Sequence, residues 1–164
     1  MPEKKTTDRA RADKRAGKSA STQAGEYVHE EIEHIREGKH GASSAKQAIA
    51  IGLSKARRAG VKAPVKKTAS KATKKKAAQD TAASHRKGAA KKTSAKRSTA
   101  TKKALKREGS AAASKTALSR QGKAAARKRP ASARSAAAKK AARTKGPAVR
   151  KAAAKKAARK RAAR

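Results

Sequence analysis

The chain has 164 residues, of which 49 are lysine or arginine and 10 are aspartate or glutamate, so its formal net charge at pH 7 is +39. It contains no Phe, Trp or Cys, one Tyr, and 13 larger apolar side chains in all (Met, Val, Ile, Leu and Tyr). The lack of cysteine excludes disulfides, thiol nucleophiles and cysteine-bound zinc. So few large apolar side chains support at most a mini-domain of about 40 residues, and no stretch has the apolar length of a membrane span.

The charge is unevenly distributed along the chain. Residues 1–60 carry 13 basic and 8 acidic side chains, a net charge of +5, whereas residues 61–164 carry 36 basic and 2 acidic ones, a net charge of +34. Eight of the 13 larger apolar side chains lie between Tyr27 and Val61. We therefore expect an all-α protein with a polar segment at 1–21, a helical hairpin at 22–63 and a cationic tail at 64–164.

Two short segments near the N-terminus are predicted to be helical. Residues 8–16 have no apolar stripe beyond alanine, so we expect a fraying helix that stops at Gly17. Residues 24–37 are a stronger prediction because apolar side chains recur there on one helical face, and Gly38 follows as a typical left-handed stop. That face consists of Ala24, Val28, Ile32 and Ile35.

A second strong helix is predicted at about residues 45–59. Ser44 and Gln47 have the spacing of a capping box, and Gly60 is placed as a C-terminal stop. Gly52 would allow another helix to approach closely. The glycine-containing connection GKHGAS should therefore let the two helices pack as a hairpin. The apolar face of this helix consists of Ala45, Ile49, Leu53 and Ala56.

The segment after Pro64 is repetitive and cationic. AAAKKAAR occurs at 136–143 and again at 152–159, and ALKREG at 104–109 is echoed by ALSRQG at 117–122. Alanine favours helix, but like charges at i and i+4 repel one another. We expect a mostly disordered, helix-prone tail, in which Pro130 and Pro147 limit helix length.

Two resemblances follow from these residues. GEYVHEEIEHIREGKHGASSAKQAIAIGLSKARRAGV, residues 25–61, resembles an uncharacterised domain of short basic bacterial proteins, some of which are labelled histone-like or plasmid stabilisation proteins. AAAKKAAR and KGPAVRKAAAKKAARKRAAR resemble the lysine- and alanine-rich tails of bacterial histone H1-like proteins and linker histones. The second resemblance implies DNA binding without sequence preference.

The sequence HEEIEH at residues 29–34 invites a metal-binding interpretation, because zinc metalloproteases use H-E-x-x-H. Here His29 and His34 are five positions apart, about 140° around a helix. The i, i+4 pairs are His29 with Glu33 and Glu30 with His34, so surface ion pairs are favoured. His40, in the connection, could join a ligand set, but we predict no metal site and no cofactor.

The hairpin has the outline of a helix-turn-helix, whose second helix would present its first residues to DNA bases. The long connection and the lack of a third helix favour a packing hairpin instead, with homodimerisation through the hairpin as an alternative. The residues that would read bases are Ser43, Ser44, Lys46 and Gln47.

The density of cations points to a polyanionic partner. We expect non-sequence-specific binding and compaction of double-stranded DNA, because recognition of single strands needs aromatic platforms that one tyrosine cannot supply. An RNA- or ribosome-associated protein and a plasmid-maintenance or regulatory factor that uses the hairpin are the alternatives. No enzyme activity, membrane or small-molecule substrate is expected, and the expected location is the cytoplasm, on the nucleoid. The predicted DNA-binding residues are Lys55, Arg57, Arg58, Lys139, Lys140, Arg143, Lys155, Lys156, Arg159, Lys160 and Arg161.

Overall fold

The computed structural model describes residues 2–86 and 94–162, with the side chain of Lys160 left out. Helices account for all regular secondary structure in these ranges, which contain no β-strand, so the all-α prediction is confirmed. Contacts divide the chain into two compact units, with the boundary between Gln121 and Gly122. The helices are α1 (Lys4–Arg15), α2 (Ala20–Arg36), α3 (Ala45–Arg58), α4 (Lys71–Ser84), α5 (Ala95–Arg107), a short 3₁₀ helix (Ser110–Ala113), α6 (Lys115–Arg127) and α7 (Ala131–Ala162).

Local signals set the ends of the first three helices. Ser19 caps α2 by accepting a hydrogen bond from the backbone N–H of Thr22, at 3.3 Å, and Ser44 caps α3 in the same way. The backbone turns to positive φ just beyond each helix, where only glycine does so without strain. These glycines are Gly17, Gly38 and Gly60, with φ of 68°, 73° and 87°.

The predicted hairpin of α2 and α3 forms, but its contact face is made of small residues. Ala48 and Ala56 are fully buried and Gly52 is buried between them, whereas Ile49 and Leu53 at the sides are partly buried. A Cβ on Gly52 would lie 2.6 Å from the Val28 Cα. The two backbones therefore approach too closely for larger side chains at the centre of the contact.

The helix α1 packs against α2 instead of fraying. It begins at Lys4, earlier than predicted, and Ala10 is buried in an apolar cluster with Tyr27 of α2 and Val61 beyond α3. Arg9 of α1 also pairs with Glu26 of α2, with Nε and Oε2 3.0 Å apart. Burial of Ala10 is enough to hold α1 in place, because a short helix is stabilised mainly by its packing against other elements.

Residues assigned by sequence to the tail complete the core of the first unit. A second apolar cluster joins Ile35 and Ala48 to Ala112 and Ala113 of the 3₁₀ helix. The Arg36 Nε donates to the Ala113 carbonyl at 3.0 Å. The predicted tail boundary at residue 64 thus falls inside the first compact unit.

The expectation of a mostly disordered tail is not supported, because α4 to α7 are helical. α7 runs over 32 residues and is interrupted at Gly146, whose φ of 66° is not helical, directly before Pro147. Alanine has the highest intrinsic helix propensity, and it outweighs the repulsion between neighbouring cations in this segment. The predicted effect of Pro147 on helix length is confirmed as a break inside α7.

None of the helices among the described residues combines the length and the apolar character needed to cross a membrane.

The close contact at Gly52 predicts that Gly52→Ala destabilises the first unit. The new methyl would meet backbone atoms of Val28 that cannot move aside, and overpacking of this kind costs about 1–3 kcal/mol. Gly25→Ala on α2 is the matched control, since its Cβ would meet nothing within 4 Å and alanine favours helix by about 1 kcal/mol. Thermal unfolding followed by circular dichroism should show a lower Tm for Gly52→Ala and an unchanged or higher Tm for Gly25→Ala; equal values would contradict the observed packing.

Candidate nucleic-acid interface

The helix α7 presents a dense array of exposed cations. Of its 32 residues, 12 are lysine or arginine and none is acidic, and no Asp or Glu occurs anywhere in residues 122–164. Its basic side chains are exposed wherever they are described. Within this unit the cations therefore have no acidic side chain to pair with.

Each AAAKKAAR repeat groups three cations on a short length of helix. In the first repeat, Lys139 and Arg143 are separated by one turn and share a face, with Lys140 about 100° around the axis. The three charges fall within about 6 Å along the helix, because each residue adds about 1.5 Å. The predicted residues of the second repeat, Lys155, Lys156 and Arg159, have the same spacing and are exposed. Arg161 is exposed as well, and the side chain of Lys160 lies outside the described part of the chain.

The predicted DNA-binding residues of α3 have partners within the first unit, although the Arg58 side chain is still 58% exposed. Lys55 Nζ lies 2.5 Å from Glu31 Oε2 and 3.5 Å from Glu30 Oε1. Arg57 Nε donates to the Ala63 carbonyl at 3.3 Å, and Arg58 Nε lies 3.0 Å from Asp80 Oδ1. These three residues therefore already have partners within the first unit, whereas the described basic side chains of α7 are exposed.

Three of the four residues predicted to read bases from the start of α3 form hydrogen bonds with one another. Ser44 Oγ accepts from the Gln47 backbone N–H at 3.2 Å, and Gln47 Oε1 accepts from the Ser43 N–H at 2.9 Å and from the Ser43 hydroxyl. The cap is therefore one residue longer than the predicted capping box, in which Gln47 would have bonded to Ser44. Lys46 is exposed, and it is the remaining member of the predicted base-reading set.

Two buried acidic residues on α2 were not expected from the sequence. Glu30 is 2% exposed and Glu31 is fully buried. Neither belongs to the predicted apolar face of this helix, which includes Val28 and Ile32. Lys55 of α3 provides the cation for both carboxylates. The sequence signal was the Glu-Glu pair inside an amphipathic helix, but its partner lies 25 residues away.

The two ion pairs predicted within HEEIEH have different outcomes. His29 Nδ1 lies 3.3 Å from Glu33 Oε2, so the first pair forms on the helix surface. The second does not, because Glu30 turns inward to Lys55 and His34 pairs with Glu3 of the N-terminal segment, 2.9 Å away. Tertiary contacts thus override the i, i+4 spacing.

Asp80 holds α4 against α3 through a second buried ionic cluster. It is 2% exposed and contacts Ser54 and Arg58 of α3 and Lys76 of its own helix, at 2.7, 3.0 and 2.8 Å. Burial opposes ionisation of this carboxyl, but the hydrogen bonds from Lys76, Ser54 and Arg58 outweigh burial and hold its pKa below the ordinary value.

Residues 11–67 match a family of unknown function (DUF6496). The match covers about a third of the chain and contains the whole of α2 and α3. It also includes residues 25–61, the segment that resembles an uncharacterised domain of short basic bacterial proteins. No curated protein and no solved structure matches the chain significantly. This match shows that the N-terminal part of the chain contains an uncharacterised domain.

We predict that Lys55→Met strongly destabilises the first unit. The substitution leaves the buried carboxylates of Glu30 and Glu31 without the ammonium group that pairs with them. Removing one partner of a buried ion pair typically lowers the free energy of unfolding by about 3–5 kcal/mol. Lys46→Met on the exposed side of the same helix is the matched control. Urea unfolding should give a much lower midpoint for Lys55→Met than for Lys46→Met. Similar midpoints would mean that Lys55 does not stabilise these carboxylates.

The lowered pKa of Asp80 predicts an acid-dependent contribution to stability. A carboxyl with a lowered folded-state pKa stabilises the fold above its unfolded pKa of about 3.9, and that stability is lost as the pH falls through the folded value. The difference in Tm between the wild-type protein and Asp80→Asn should therefore be largest near pH 6 and shrink toward pH 2. A difference that does not change over this range would refute the ionic role of Asp80.

Proposed function

We propose that the protein binds and compacts double-stranded DNA without sequence preference, in the manner of a histone H1-like nucleoid-associated protein. The observation that carries this proposal is α7, a helix with 12 basic residues and no acidic one. Duplex DNA has one phosphate charge per about 1.7 Å of its axis. The lysines and arginines of the two AAAKKAAR repeats would therefore meet phosphates at a comparable charge spacing.

The mechanism is electrostatic. Each lysine or arginine that neutralises a phosphate releases condensed counterions, which supplies most of the free energy of non-specific binding. Phosphate contacts position a protein on DNA without carrying sequence information. Neutralisation of many phosphates by one chain also lowers the repulsion between DNA segments, so compaction follows from the same contacts.

The contacts of α3 favour α7 as the DNA-binding surface, because two of the predicted cations of α3 already have ionic partners. Lys55 and Arg58 already neutralise buried carboxylates, so DNA would have to compete for them. The bonds that join Ser43, Ser44 and Gln47 argue against base reading by α3. Tyr27 is 2% exposed and cannot stack on a base, which favours duplex over single-stranded nucleic acid.

RNA remains the competing partner, because a phosphate-binding surface is selective for charge more than for the sugar. Competition of duplex DNA against ribosomal RNA for the full-length protein separates the two partners. Preference for the RNA at equal phosphate concentration would replace the proposed function with an RNA- or ribosome-associated one.

The proposal predicts steep salt dependence with little sequence preference. If ten cations engage phosphates, the slope of log K against log salt should be about −9, and affinity should fall by roughly five decades between 50 and 200 mM salt. Titration of one duplex and of a scrambled duplex across this range measures both properties. A slope shallower than about −3, or a strong preference for one duplex, would reject the proposal.

Matched lysine variants test whether α7 carries the contacts. Replacing Lys139, Lys140, Lys155 and Lys156 with Gln removes four charges and should make the slope shallower by about 3.6. Replacing Lys4, Lys5, Lys14 and Lys46 with Gln removes the same charge from exposed positions of the first unit and should change the slope much less. Equal effects would assign binding to net charge alone and not to α7.

A further inference from the structure

Three potential metal ligands meet at the C-terminal end of α2. Glu31, His34 and His40 each offer one ligand atom, and these atoms all lie within 4.8 Å of one another. Glu31 and His34 are one turn apart on α2, and His40 comes from the connection to α3. The two imidazole rings are nearly perpendicular, at 83°, with centroids 6.4 Å apart.

The Oε1 atom of the Glu31 carboxylate is the independent sign that a second positive group, besides Lys55, belongs here. Its side chain is 0% exposed, and neither oxygen receives a hydrogen bond of ordinary geometry from the described residues. Lys55 Nζ lies against Oε2, whereas Oε1 faces His40 Nε2 at 3.1 Å. A fully buried carboxylate oxygen without a hydrogen bond is costly.

The contacts of His40 leave its Nε2 directed at that oxygen. Its other ring nitrogen, Nδ1, lies 3.1 Å from the Gly41 carbonyl oxygen, which can only accept a hydrogen bond. The proton of a neutral imidazole is therefore on Nδ1, and the lone pair of Nε2 faces the Glu31 carboxylate. Two acceptors in this position require a cation between them, either a proton or a metal ion.

We propose that Glu31, His34 and His40 bind a divalent transition-metal ion, with zinc as the best fit. Two imidazole nitrogens and one carboxylate oxygen are a common donor set for zinc, which binds them at about 2.0–2.2 Å. Ligand atoms around a tetrahedral zinc are then about 3.3 Å apart, close to the 3.1 Å between Glu31 and His40. The three ligand atoms lie within 4.8 Å of one another, so binding would need them to move slightly closer together.

The surroundings of the two histidines match those of metal-bound histidines. Such residues usually give their second ring N–H to a backbone carbonyl or a carboxylate, which fixes the ring. His40 has the Gly41 carbonyl in this position, and His34 Nε2 lies 2.9 Å from Glu3 Oε1. Bound zinc would thus tie the residue preceding α1 and the α2–α3 connection to α2, and so stabilise the first unit.

Calorimetric titration of the full-length, tag-free protein with zinc chloride tests this site. We expect one zinc ion per chain and a rise in Tm that EDTA reverses. The chain has four histidines, which provides a matched pair of variants: His34→Ala/His40→Ala removes the two in the cluster, and His29→Ala/His85→Ala removes the two exposed ones. The first variant should lose more than about 100-fold in zinc affinity, which exceeds the loss expected when a residue that only hydrogen-bonds to a metal ligand is removed. The second variant should bind zinc like the wild type.

Two further measurements keep the test independent of folding defects. Glu31→Gln keeps the shape of the side chain but removes the charge, and it should also abolish the zinc-dependent rise in Tm. In the wild-type protein, zinc should shift the ring ¹⁵N resonances of His34 and His40 and leave those of His29 and His85 in place. No saturable binding at one ion per chain, or equal shifts at all four histidines, would overturn the site and leave Glu31 and His40 as a protonated ion pair.

Discussion

The close approach of α2 and α3 at Gly52 is the constraint on which the rest of the first unit depends. Because a Cβ at Gly52 would lie 2.6 Å from the Val28 Cα, the helices touch through backbone and small side chains. This contact brings Lys55 over Glu30 and Glu31 and turns the α2–α3 connection back so that His40 reaches Glu31. A wider separation would leave these carboxylates without their partners.

A chain with so few large apolar side chains stabilises its fold partly with ions. Lys55 bridges the two buried glutamates of α2, and Asp80 joins α4 to Ser54 and Arg58 of α3. Buried ion pairs add little stability compared with apolar packing, but breaking one is costly. The pairs therefore act as positional constraints, and they engage Lys55 and Arg58 of α3 with carboxylates, whereas residues 122–164 contain no acidic side chain.

The helical state of α7 has consequences for the proposed binding to DNA. Alanine loses little side-chain entropy in a helix, so the segment folds despite its charge. A helix holds Lys139, Lys140 and Arg143 at set distances before DNA arrives, which reduces the ordering that binding must impose. The break at Gly146 and Pro147 divides this surface into two shorter helical segments, each with one AAAKKAAR repeat.

The sequence by itself determined the features that depend on local physics. The predicted Ser44 cap, the glycine stops and the 3.6-residue periodicity located α2 and α3 to within a few residues. The charge of residues 61–164 pointed to a polyanionic partner that is still a proposal. The tertiary structure decided which faces meet: the burial of Glu31, the packing of Ala10 and Ala113, and the approach of His40. These contacts join residues far apart in the chain, and local propensity carries no information about such pairings. The helical tail was also missed, because intrinsic propensity and charge repulsion oppose each other there and the pattern alone does not show which is larger.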